Sequence, residues 1–209
     1  VANLGTGGKG RKSIQVLALV VLAAWIGAGN LRAQGGVVRV VLETTQGTIN
    51  LELDILRAPI TAKNFLRYVD GHFYDGGRFF RTVRSDNQPT DTVRIAVVQA
   101  GPDSGRTSEQ FAPIPIERTT VTGLHHVDGT ISMARGRPNS ATSSFFICIG
   151  NQPALDFGGT RNLDGQGFAA FGRVTSGMDV VRAIWQSHAD GQRLSPPIGI
   201  TSARRAAGS

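Results

Sequence analysis

The stretch VVRVVLETTQGTINLELD, residues 37 to 54, alternates apolar and polar side chains on both sides of a Gln46-Gly47 step. A period of two sends successive side chains to opposite faces of a strand, and a glycine-bearing turn between two such runs joins them antiparallel. A lone hairpin is marginal in water, so this opening commits the chain to further strands. Short apolar runs at Arg78 to Val83, Val93 to Ala100, Thr130 to Ala134, Phe145 to Ile149 and Phe168 to Val174 supply them, with Ile198 to Ser202 as a closing strand. Two segments carry helical spacing instead. One starts at Pro59, repeats Ala62, Phe65, Leu66 and Val69, and stops at Gly71; the other, Met178 to His188, repeats Val181, Ile184 and Trp185. Many strands with two helices predict a mainly β fold, a closed antiparallel barrel with helices over its ends.

The residues before the hairpin are of another kind. Lys9, Arg11 and Lys12 precede the apolar run IQVLALVVLAAWIGAG, residues 14 to 29, and small residues follow. That order is a secretory signal peptide, with cleavage expected near Ala33. The competing reading is a retained inner-membrane anchor, but the run is shorter than the ~20 residues a spanning helix needs. The expectation is therefore a periplasmic or secreted protein with no stable membrane association after cleavage. It divides into a signal (residues 1–33), one domain (37–203) and a C-terminal tail (204–209).

The formal net charge is +7, but Lys9, Arg11, Lys12 and Arg32 supply four of those charges and no acidic residue lies among them. The longest remaining basic run is the Arg204-Arg205 pair, so the stripe of cations that nucleic acid requires is missing. The single cysteine, Cys148, has no disulfide partner within the chain and reads as a small core residue. The four histidines, His72, His125, His126 and His188, show no metal-ligand spacing and read as turn or surface residues. The sequence calls for neither metal nor cofactor.

RFFRTV, residues 78 to 83, places Arg81 inside a strand whose two faces are both partly apolar, and AVVQAG places Gln99 at the end of another. Taken alone, Arg81 reads first as half of a structural ion pair, since a buried charge needs a partner. Taken alone, Gln99 is a polar strand end. The glycine-rich DFGGTRNLDGQG, residues 156 to 167, lacks the spacing and lysine of a phosphate-binding loop and reads as a surface loop.

FFRTV, VVQAG, GTISMARGRPNSATSSFFICIG and FAAFGRVTSGMDVV, in that order, resemble the cyclophilins, of the bacterial exported kind, over about residues 37 to 203. The resemblance implies an eight-stranded antiparallel β-barrel capped by two α-helices. It also implies peptidyl-prolyl cis-trans isomerase activity, acting as a folding catalyst on proline-containing polypeptide segments, without a cofactor and as a monomer. By position in the family pattern, Arg81 matches the catalytic arginine and Gln99 the glutamine that orients it and the substrate backbone. Ala96, Val97, Ala134, Phe146, Leu155 and Phe168 would form the substrate site. The backbone of Arg135 would hold the peptide bond before proline, and Ser144 would lie beside the pocket. Two departures stand out: Ala154 occupies a position where many members have tryptophan, and Phe168 one where many have histidine. A non-catalytic proline-peptide binding module or holdase would use the same groove. A ligand-holding barrel of the lipocalin type would need a hollow interior, against which the large apolar residues on both strand faces argue.

Overall fold

The structure, a computed structural model, describes residues 1–5, 36–103, 105–106 and 110–207. The chain divides into two units, Val1–Ala33 and Gln34–Ser209. Of the first, only residues 1–5 are described, without regular secondary structure; the basic and apolar regions of the expected signal peptide lie outside the described residues. Among the described residues no helix is long and apolar enough to cross a membrane.

Strands β1 (Val37–Thr44) and β2 (Gly47–Asp54) form the expected hairpin, in unbroken register from Val37 opposite Asp54 to Thr44 opposite Gly47. Its turn is Thr45-Gln46, one residue earlier than the sequence suggests. Gly47 takes a φ of 136°, a value that a side chain would strain, and opens β2. Helix α1 (Pro59–Asp70) follows, with the proline in its first turn, where no helical bond is lost. Ala58 cannot cap it; the Glu117 carboxylate instead accepts the amides of Ile60 and Thr61 at 3.1 and 2.7 Å, placing negative charge at the positive end of the helix.

The remaining elements are β3 (Arg78–Val83), β4 (Val97–Gly101), the single turn α2 (Thr119–Thr122), β5 (Thr130–Met133), β6 (Phe145–Cys148), β7 (Ala169–Ser176), α3 (Met178–Gln186), the two-residue β8 (Ala189–Asp190) and β9 (Arg193–Arg205). Pairing runs β1-β2-β7-β5-β6-β4-β3-β9 and returns from β9 to β1, antiparallel throughout. Eight strands thus close a ring without an open edge, and β8 adds a rung to β9.

Three elements depart from the sequence reading. Strand β4 begins at Val97, not Val93, because side chains take the ladder positions ahead of it: Arg161 donates to the Val93 carbonyl at 2.7 Å, and Gln88 bonds both the amide and the carbonyl of Ile95. Helix α2 is too short for periodicity to reveal. Strand β9 runs on through Arg204 and Arg205, which the sequence placed in a tail. Two-pronged pairs of Arg204 with Asp75 (2.7 and 2.6 Å) and Arg205 with Asp70 (2.8 and 2.7 Å) hold them.

Apolar side chains gather in two clusters. The larger fills the barrel, with Leu42, Leu51, Phe65, Phe79, Phe145 and Phe171 fully buried. The smaller joins Val83, Ile95, Val97, Phe146, Cys148 and Leu155, with Ala134 and Phe168 packed against it. Alternation along β4 and β6 separates them: Val98, Ala100, Phe145 and Ile147 belong to the first, Val97, Phe146 and Cys148 to the second. Because the second cluster lies on the opposite side of the sheet, both faces of these strands are apolar. The filled interior leaves no room for a ligand of the lipocalin kind.

Candidate active site

Register aligns the site. Arg81 on β3 lies opposite Gln99 on β4, Gln99 opposite Phe146 on β6, and Phe146 opposite Ser132 on β5. Residues paired across neighbouring strands point to one face, so a cation, an amide, an aromatic ring and a hydroxyl stand in one row across the barrel wall. Arg81 Nη1 donates to Gln99 Oε1 at 3.0 Å. Beside this pair is a cavity of about 240 Å³. Val97, Ala134, Phe146, Leu155 and Phe168 give it an apolar lining, and the rings of Phe146 and Phe168 meet edge to face at 5.3 Å.

Eight of the ten residues expected from the sequence therefore meet here: Arg81, Gln99, Val97, Ala134, Arg135, Phe146, Leu155 and Phe168. Ala96 does not. It precedes β4 and is absent from the lining: its amide donates to Gln152 Oε1 at 3.1 Å, and Ile95 takes the lining position instead. Ser144 does not line this cavity but a separate one, with Phe80, Gly101 and Arg193.

The structure adds residues that the sequence reading missed. Arg81 Nε and Nη2 both donate to Gln192 Oε1, at 2.9 and 2.6 Å. Arg161 and Asn162, from the loop read as plain surface, line the cavity. That loop is fastened down by Arg135, whose side chain forks onto Asp164 (2.7 and 2.9 Å) and donates to the Gly167 carbonyl at 2.7 Å. Gly167, at φ 64°, passes so close to Asp156 that a Cβ would lie 2.5 Å from its carbonyl carbon. The Arg135 side chain is thus a loop anchor, while among the described residues its own amide and carbonyl have no protein partner.

Burial depresses the Arg81 pKa, the Arg161 guanidinium depresses it further, and Asp91 opposes both. An arginine starts so high that it stays charged. No carboxylate among the described residues forms an ion pair with it, so the ion-pair reading of Arg81 is set aside: its partners are two neutral amide oxygens.

Behind Phe146 lies a second polar row. The His126 ring stacks on Phe146 at 5.9 Å, its Nδ1 bonds Asp156 Oδ1 at 2.6 Å and its Nε2 bonds Ser132 Oγ at 2.9 Å. His126 is buried, where the sequence reading expected a turn or surface residue, and Ser132 is equally closed to solvent, so this pair supports Phe146 from behind. Burial raises the Asp156 carboxyl, but bonds from His126, His125 and the His126 amide outweigh it and hold the pKa down at about 2, from an ordinary 3.8. A depressed carboxylate stabilises the fold fully above its unfolded pKa and loses that contribution as pH falls through the folded one. The acid-unfolding curve is therefore expected to steepen between about pH 4 and 2. Asp156→Asn should flatten that portion in a pH series of thermal melts; an unchanged curve would remove Asp156 from the acid response.

Burial also raises the Cys148 thiol, which leaves it an inert part of the smaller cluster. Among the described residues no group of three His, Cys, Asp or Glu side chains could hold a metal ion. A larger cavity of about 330 Å³ is lined by Leu53, Leu124 and Val127, but its charged groups are already engaged: Glu52 with Arg173 and Asp54 with Arg57.

Fold and site together define a filled antiparallel barrel whose polar site lies on its outer wall, where a cation and an amide border an apolar pocket. The family model for cyclophilin-type peptidyl-prolyl cis-trans isomerases matches residues 39–205. Peptidyl-prolyl cis-trans isomerase A of Dickeya dadantii is 36% identical over 171 residues, covering 79% of this chain and 83% of that protein. Peptidyl-prolyl cis-trans isomerase B of Escherichia coli is 33% identical over 146 residues, covering 69% and 82%. The crystal structure of a Cryptosporidium parvum cyclophilin-type isomerase superposes with a TM-score of 0.66 at 20% identity, over 83% of this chain and 99% of that one. The chain belongs to the cyclophilin-type peptidyl-prolyl cis-trans isomerase family.

Proposed function

We propose that the outer pocket receives the prolyl ring of a polypeptide segment and that Arg81 stabilises the twisted X-Pro bond. A barrier of ~18–20 kcal/mol opposes rotation because amide resonance must be given up. As the bond twists, the prolyl nitrogen gains a localised lone pair. A fixed donor aimed at it favours the twisted state over either planar one. No bond is made or broken, so neither nucleophile nor proton transfer is needed.

The observation that carries this reading is the way Arg81 is held. A guanidinium has five N–H donors, and Gln99 and Gln192 take three of them, leaving one on Nη1 and one on Nη2. The group is fixed, keeps its charge, and retains donors at the rim of an apolar pocket that suits a pyrrolidine ring. The free amide and carbonyl of Arg135 support a role in binding the peptide backbone before proline. A relative of the same fold, the Cryptosporidium parvum enzyme, has a crystal structure in the presence of the dipeptide Ala-Pro. Exchange NMR on a short X-Pro peptide should show line broadening that grows with protein concentration. No acceleration at micromolar protein would leave only the binding-module reading.

Export is proposed on the sequence of residues 9 to 33, which would direct the isomerase to other exported chains in the periplasm or medium. Osmotic shock should release a soluble protein whose N-terminus lies near Gln34. Retention in a salt-washed membrane pellet would support an anchor instead.

A further inference from the structure

The Arg81 guanidinium is bracketed from two directions. Gln99 comes from the adjacent strand β4, but Gln192 comes from the turn between β8 and β9, 111 residues further along the chain. The Gln192 amide oxygen accepts two parallel bonds, from Nε at 2.9 Å and Nη2 at 2.6 Å, and so fixes the plane of the fork as well as its position.

Gln192 is itself held at two points. Its carbonyl accepts the Thr82 amide at 2.9 Å, tying the turn to the residue after Arg81. Its Nε2 donates to the Asn87 carbonyl at 3.2 Å. Asn87 in turn donates from Nδ2 to the carbonyls of Thr82 and Gly191, both at 3.0 Å, and its Oδ1 accepts the Arg84 amide at 2.7 Å. With Nε2 so engaged, the amide is orientated and Oε1 must face Arg81. The turn is thereby stitched to the chain that follows the arginine, at Thr82 and Asn87.

We infer that Gln192 is the positioning residue for Arg81 in the isomerase reaction, with Asn87 orienting its amide; this rests on the catalytic reading of Arg81. An amide suits the task where a carboxylate would not. Two bonds fix the fork, yet no negative charge opposes the cation that must act on the prolyl nitrogen. Without Gln192, Gln99 alone holds one nitrogen, and the planar group is free to turn about that contact. A donor that is present but misaimed lowers turnover more than it lowers ground-state binding.

The test uses the full domain and three readouts: kcat and KM on an X-Pro peptide, the thermal midpoint, and the NMR signal of the Arg81 Nε–H, identified by its absence in Arg81→Lys. Gln192→Ala should lower kcat roughly tenfold with KM within about twofold, and should erase the protected Nε–H signal at an unchanged fold. Gln192→Glu keeps an acceptor for Nε and Nη2, adds charge and gives up the donation to the Asn87 carbonyl. It should restore the Nε–H signal and recover part of kcat, staying below the parent protein because the paired carboxylate draws on the guanidinium charge. Unchanged kcat and Nε–H signal in Gln192→Ala would overturn the assignment, as would equal losses in both variants that track a lowered thermal midpoint. Failure of the parent protein to accelerate isomerisation would sink the catalytic reading itself, a result separate from either.

Discussion

Arg81→Ala is expected to lower kcat by roughly 10- to 1,000-fold, the effect of removing a transition-state donor worth about 1.4 to 4 kcal/mol. Peptide binding should change far less, because Val97, Phe146, Leu155 and Phe168 remain to line the pocket. Arg81→Lys keeps the charge but has no fork to span Gln99 and Gln192, so it should rescue little. Gln99→Ala should cost less than Arg81→Ala, and the double variant less than the sum, since the glutamine acts through the arginine. Circular dichroism on the same samples separates catalysis from folding. A stable Arg81→Ala protein with intact turnover would remove Arg81 from the mechanism.

Phe65→Ala should destabilise the domain by about 3–5 kcal/mol, the cost of a large cavity in a close-packed core. Phe65 is fully buried on α1 and inserts among three rings: Tyr74 at 5.1 Å, Phe145 at 5.3 Å and Phe171 at 5.3 Å. Urea unfolding should show a lower midpoint at an unchanged slope. Below the melting transition kcat should persist, because Phe65 belongs to the interior cluster and the pocket is built from the outer one. A loss under about 1 kcal/mol would mean that the surrounding rings close the cavity.

These two variants mark what could be read directly from the sequence. Arg81, Gln99 and Phe146 were legible through the family resemblance of the strand blocks that carry them, and register then aligns them in one row. Ala96 was misplaced because it stands just ahead of β4, where its amide is taken by Gln152. Gln192 was not legible, since nothing local in a turn indicates which side chain 111 residues away its amide will meet. The loop from Asp156 to Gly167 misled through composition. Glycine and polar residues describe a loop that could float, whereas the Arg135–Asp164 fork that ties it to the pocket is a contact between distant residues. Strand β9 was cut short for a similar reason, because Arg204 and Arg205 look like a solvated end until Asp75 and Asp70 are brought opposite them.

The pairing of β9 with both β1 and β3 has a consequence for biosynthesis. A growing chain can form the β1–β2 hairpin as soon as those residues emerge, but the seam between the first strand and the last waits for Arg204 and Arg205. Until then β1 and β3 each present an unsatisfied edge, and the turn bearing Gln192 has not arrived to meet Arg81. Closing that seam joins residues about 160 positions apart, a non-local step of the kind that slows folding. The bracket around Arg81 is therefore completed only once synthesis has passed the turn that opens the closing strand, so it belongs to the finished domain and not to a partly made one.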